Sequence, residues 1–140
     1  TGYPAMACQV AVDDRAVYTV TTRAVGAYMP LRALVSWDEH WALEVDDRLI
    51  VDGEDIGETH GYGAVFGLAL IRGRPFYFYE QDDGVHVSYD GQTLPNVYEE
   101  VFQNQCCEAS IHNIQAGGDV AWVHALKDGT WYFVTVSEER

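Results

Sequence analysis

Asp-Gly stands between β-rich flanks four times in this chain, at Asp52-Gly53, Asp83-Gly84, Asp90-Gly91 and Asp128-Gly129. A two-residue type I′ turn needs positive φ at both central positions, which Asp tolerates and Gly accepts freely. The dipeptide between apolar runs is therefore a strong short-range hairpin signal. The flanks are Val, Tyr, Phe, Trp and Thr, side chains that fit a pleated, half-buried surface. Turns of this kind are hard to reconcile with helices. The expected fold class is all-β, an antiparallel meander of repeated hairpins. At least half the residues should lie in strands, with no helix longer than about three turns.

The hairpins repeat. Val12-Asp13-Asp14-Arg15 recurs as Val45-Asp46-Asp47-Arg48, and the stretch from Trp41 to Gly53 resembles that from Phe76 to Gly91. Both stretches read as strand, acidic turn, strand, Asp-Gly turn. They run on to similar endings, Ala64-Val65-Phe66 and Glu100-Val101-Phe102. A further hairpin spans Val120 to Val136 around Lys127-Asp128-Gly129. Each unit, roughly 35 residues apart, reads as a hairpin plus a third strand, like a minimal propeller blade. A compact barrel or two packed sheets would serve equally well. Tyr98 to Cys107 reads as a strand after a turn at Pro95-Asn96, with a short helix as the alternative. Thr22 to Leu34, interrupted by Gly26 and Pro30, is ambiguous. Gly57, Gly61 and Gly63 mark a loop within a repeat. No linker divides the chain, so residues 1–140 are expected to form one domain.

Charge narrows the partners. The chain has 22 acidic and 8 basic residues, a formal net charge of −14. Its basic residues are scattered, whereas phosphate backbones and anionic membrane surfaces attract clustered Lys and Arg. Neither nucleic acid nor an anionic membrane is an expected partner. The apolar runs fall far short of the roughly 20 residues of a spanning helix. The chain opens at Thr1, which suggests a processed protein or an excised piece of a longer one. Three cysteines, Cys8, Cys106 and Cys107, allow at most one intrachain bond. A bond from Cys8 to Cys106 or Cys107 would tie the chain ends together and go with an extracytoplasmic location. Three buried free thiols are the alternative.

Residues 84–101 carry a resemblance. Gly84, His86-Val87, Asp90-Gly91, Pro95 and Tyr98 to Val101 stand in an order that resembles the WG-type β-repeats of bacterial proteins. Asp83 occupies the position of the namesake Trp. A weaker likeness extends from Arg48 to Phe66. The stretch around Phe76-Tyr77-Phe78-Tyr79 is also similar to uncharacterised bacterial extracytoplasmic domains. The resemblance implies a β-repeat fold with a binding or scaffold role, and it transfers no catalytic residue.

Aromatic residues are the candidate ligand contacts. Side chains alternate faces along a strand. Phe76 and Phe78 should therefore face one way, and Tyr77 and Tyr79 the other. If the phenylalanines are core, the tyrosines form an outward platform with apolar faces and polar rims. Tyr77, Tyr79, Tyr89 and Trp131 are the expected ligand-binding residues. The competing expectation is a sheet packed on both faces.

No catalytic constellation stands out. Paired carboxylates such as Asp46-Asp47 and Asp82-Asp83 fall in turns, where water keeps them ionised. Glu44 and Glu80, inside apolar strands, are better acid candidates for a glycoside- or ester-hydrolysing enzyme. His40, His60, His86, His112 and His124 lack zinc-site spacing, and Asp52 to Asp55 fails the calcium-loop pattern. No metal or other cofactor is expected. No nucleophile signature is present, beyond a bare pairing of Cys106 or Cys107 with His112. The leading expectation is a binding or scaffold module for a cell-surface glycan or a protein partner, with the hydrolase as alternative.

Overall fold

The computed structural model describes residues 5–23, 31–103 and 113–138. Of the described residues 65% are in strands, and one short helix is present. Four antiparallel sheets follow one another along the chain. The first is the hairpin β1 (Ala7–Val12) and β2 (Arg15–Thr21). The second is the meander β3 (Leu31–Trp37), β4 (His40–Val45), β5 (Arg48–Val51) and β6 (Glu54–Asp55). Helix α1 (Ile56–His60) then leads to the third. This is β7 (Val65–Ile71), β8 (Arg74–Gln81), β9 (Gly84–Tyr89) and β10 (Gln92–Thr93). In the fourth, β13 (Val120–Lys127) pairs with β14 (Thr130–Ser137) on one side. On its other side it pairs with β11 (Glu100–Val101) and β12 (Gln115–Gly117).

Turn chemistry explains the hairpins. Asp52-Gly53, Asp90-Gly91 and Asp128-Gly129 close two-residue loops with both central φ positive, as a type I′ turn requires. Asp13-Asp14 and Asp46-Asp47 do the same without glycine. Asp83-Gly84 is different. Gln81 pairs with Gly84, so the loop is Asp82-Asp83 and Gly84 opens β9 at φ +135°. The reason lies across the bridge between Val85 and Tyr98. A Cβ on Gly84 would come within 2.5 Å of the Tyr98 carbonyl oxygen.

The sheets stack face to face in chain order, giving three buried junctions. Val10 and Val20 of the first sheet meet Leu43, Val45 and Ile50 of the second. Ala42, Leu49 and Ile56 meet Val65, Leu68 and Tyr79. Phe76, Phe78, Val85 and Val87 of the third sheet meet Val101, Ala121, Val123 and Ala125 of the fourth. The second and third sheets are thus packed on both sides. Among the described residues the sheets do not close into a ring or barrel.

Two expectations change in detail. Val65-Phe66 and Glu100-Val101 do not complete the preceding unit but join the following sheet, in β7 and β11. The segment read as a loop contains α1. Asp55 caps it by accepting the Glu58 N–H at 3.2 Å, and Gly61 ends it in the left-handed region. Cys8 stands as a free thiol packed half-buried toward the first junction, and the expected bond to Cys106 or Cys107 falls on partners outside the described residues. Cys106, Cys107 and His112 lie outside the described residues, as do parts of the two ambiguous segments.

Candidate functional site

The second junction is not filled throughout. Near the β3–β4, β5–β6 and β9–β10 turns its two sheets leave a groove of about 440 Å³. Ala42, Leu49 and Leu68 form an apolar floor. Trp37, His40, Asp52 and Glu54 stand on one side, Tyr77 and Asp90 on the other. The volume lies in the range of ordinary small-ligand sites, about 300–1,000 Å³.

Local folding sets each group. Trp37 and His40 are paired at the ends of β3 and β4 across a tight turn, and their rings lie 5.6 Å apart. Asp52 opens the β5–β6 turn beside them. Its carboxylate accepts the Trp41 N–H at 3.0 Å and lies 2.7 Å from His40 Nδ1. Desolvation pushes the Asp52 carboxyl up, but the Trp41 N–H and the His40 ring together outweigh it. The net effect holds Asp52 below the ordinary aspartate value. Tyr77 faces the groove half-buried from β8. Desolvation raises its phenol above the ordinary value, against a hydrogen bond with Ser88. At the rim, Arg74 of the third sheet bonds Asp38 of the second at 2.9 Å. Among the described lining residues are three carboxylates and His40 and His60, with no Lys or Arg. Cation and hydroxyl donors are therefore favoured over anions.

The four expected ligand residues are not brought together. The expected parity holds: Phe76 and Phe78 face the fourth sheet, while Tyr77 and Tyr79 face the second. That second face is also covered. Tyr62, following α1, stacks on Tyr79 with centroids 4.0 Å apart. His86 stacks on Tyr79 at 5.2 Å, and His60 on Tyr62 at 5.3 Å. Tyr79 is buried, its hydroxyl 2.7 Å from Thr93 Oγ1. Tyr89 is on the Phe76 side, where its hydroxyl donates to the Ile71 carbonyl at 2.9 Å. Trp131 is exposed on the fourth sheet, edge-on to Phe102. Only Tyr77 lines the groove.

The carboxylates singled out for acid work lie elsewhere. Glu44 is buried and accepts the Leu68 N–H at 2.9 Å, so one oxygen is committed to the backbone. Glu80 is exposed beside Gly63. No cluster of three or more His, Cys, Asp or Glu suited to a metal ion occurs among the described residues. Trp37, His40, Asp52 and Glu54 were not legible as a site. Their meeting depends on the pairing of β4 with β5 and on sheet stacking, and no linear spacing encodes either. The chain matches no protein-family model, no curated protein and no solved structure.

Proposed function

We propose that the protein is a binding module and that its ligand is a glycan held in the groove between the second and third sheets. The observation that carries this reading is the meeting of Trp37 and Tyr77 with Asp52, Glu54 and Asp90 around one opening. Aromatic faces cover the C–H surfaces of a sugar ring, and carboxylates accept its hydroxyl protons. The groups are carried on strands and tight turns, so little ordering opposes binding. A glycan ligand at a cell surface would go with a place outside the cytoplasm.

The test is a glycan array probed with the wild-type protein and with Trp37→Ala and Tyr77→Ala. The wild type should retain a defined set of glycans, and each variant should lose about tenfold or more in affinity, as loss of a buried aromatic anchor does. Wild-type affinity in both variants would place the site elsewhere.

A hydrolytic reading rests on one observation, the contact of His40 with Asp52 inside the groove. Such a pair orients an imidazole for general-base work. Among the described lining residues there is no Ser or Cys to act as a nucleophile, so on this reading the base activates water. Turnover of glycoside or ester substrates that disappears in His40→Gln would favour this reading over the binding module.

A further inference from the structure

The groove between the second and third sheets carries negative charge that the protein answers only in part. Asp52, Glu54 and Asp90 share its opening, and the described lining residues include no Lys or Arg. Arg74 at the rim is tied to Asp38 at 2.9 Å. Asp52 is answered from within: it accepts the Trp41 N–H and faces His40 Nδ1 at 2.7 Å. Glu54, on β6 of the second sheet, and Asp90, in the β9–β10 turn of the third, are not. Both are exposed, and among the described residues neither carboxylate has a hydrogen bond or an ion pair. They stand on opposite walls, so a ligand in the groove lies between them.

Hydrogen-bonding character points the same way. An ionised carboxylate only accepts. Asp52 therefore takes the proton of His40 Nδ1, which leaves Nε2 of the neutral ring as a further acceptor. A ligand rich in donors suits this lining better than one rich in acceptors. Trp37 and Tyr77 add aromatic faces, which attract sugar C–H surfaces and cations alike.

We propose, resting on the glycan reading above, that the ligand is a glycan of amino sugars with free ammonium groups. Its ring lies against the aromatic faces and an ammonium sits between Glu54 and Asp90. The ammonium brings three donors and a positive charge to two carboxylates that lack both kinds of partner. A neutral glucan offers hydroxyls alone. N-acetylation removes the charge and adds a carbonyl acceptor, which the three carboxylates disfavour. A uronic acid would add a further negative charge to the same opening. The formal net charge of −14 speeds the arrival of any cation, but it does not select a sugar.

The test is titration calorimetry of the full chain with four probes. These are a glucosamine oligosaccharide, its N-acetylated form, a glucose oligosaccharide of the same length and linkage, and a lysine oligomer of the same charge as the first. The glucosamine oligosaccharide should bind about tenfold or more tighter than either uncharged sugar, and added salt should shrink that preference. Glu54→Gln and Asp90→Asn keep an acceptor and remove the charge, and Asn tolerates the φ of +49° at position 90. Each should lose about threefold or more in affinity for the amino form, and less for the glucose form. Trp37→Ala should weaken both. Equal affinity for the amino and glucose forms overturns the proposal and leaves the glycan groove standing. A lysine oligomer that binds as tightly as the glucosamine oligosaccharide, with both unaffected by Trp37→Ala, also overturns it, as attraction of charge without a sugar site. Binding of none of the sugars overturns the proposal and the glycan reading together. Far-UV circular dichroism checks the fold of each variant, and Glu54→Ala replaces any variant that loses its β spectrum.

Discussion

Glu44 shows how a single carboxyl joins two sheets. The register of β7 slips between Phe66 and Ala69, which takes the Leu68 N–H out of the ladder. Glu44 of the second sheet accepts that proton instead. Burial pushes the Glu44 carboxyl above its unfolded value near 4.5, against the opposing pull of the Leu68 N–H and the Arg32 charge. A raised folded value means that, as pH climbs past the unfolded value, the unfolded chain ionises first and gains on the folded one. Glu44→Gln keeps an acceptor and removes the charge. Its urea midpoint should therefore rise relative to wild type as pH goes from about 4 to about 7. A pH-independent difference would contradict this. Glu44→Ala leaves the buried N–H unpaired and should cost about 1–3 kcal/mol near pH 4, and less as pH rises, because the ionisation that weakens the wild type is also gone. Gly84 is the other residue on which a junction turns. Gly84→Ala forces a side chain into a φ of +135° and against the Tyr98 carbonyl. It should cost at least about 1–3 kcal/mol in urea unfolding, and a smaller loss would mean that the Val85–Tyr98 bridge yields easily.

At the level of elements, what could be read in advance was what is locally encoded. A type I′ turn is specified by its two central residues, so Asp52-Gly53, Asp90-Gly91 and Asp128-Gly129 located their hairpins from sequence alone. Strand parity placed Phe76 and Phe78 together on one face. Parity cannot say whether the other face meets water or a second sheet. Tyr79 lost its platform to Tyr62, which arrives from a segment with no strand or long-helix signal. In retrospect Asp55, Glu58 and Gly61 carry cap spacing for a short helix, but five residues give too little periodicity to separate it from a loop. The cap is testable. Asp55→Ala should cost about 1 kcal/mol. Because α1 delivers Tyr62, the same variant should also increase the exposure of Tyr79 to a phenol-selective reagent. Unchanged Tyr79 reactivity would show that the stack of Tyr62 on Tyr79 holds without the helix.

For the molecule as a whole, a net charge of −14 on 140 residues means self-repulsion in the compact state. The melting temperature should rise as salt is added up to physiological strength, where screening acts over about 8 Å. A flat salt response would show that ion pairs such as Arg74 with Asp38 already balance the field. The serial stack has a kinetic consequence too. The first sheet has two strands and one covered face, whereas β8 lies inside a four-stranded sheet buried on both sides. Opening β1 and β2 breaks one junction, and opening β8 breaks two. In native-state hydrogen exchange, the amides of β1 and β2 should therefore exchange through a local opening of low free energy. Those of β8 should exchange last, at the free energy of global unfolding. Equal protection of β1 and β8 would mean a single cooperative unit. Unequal protection would make this a protein whose ordered length shortens from its N-terminal end under mild destabilisation, while the aromatic middle stays closed.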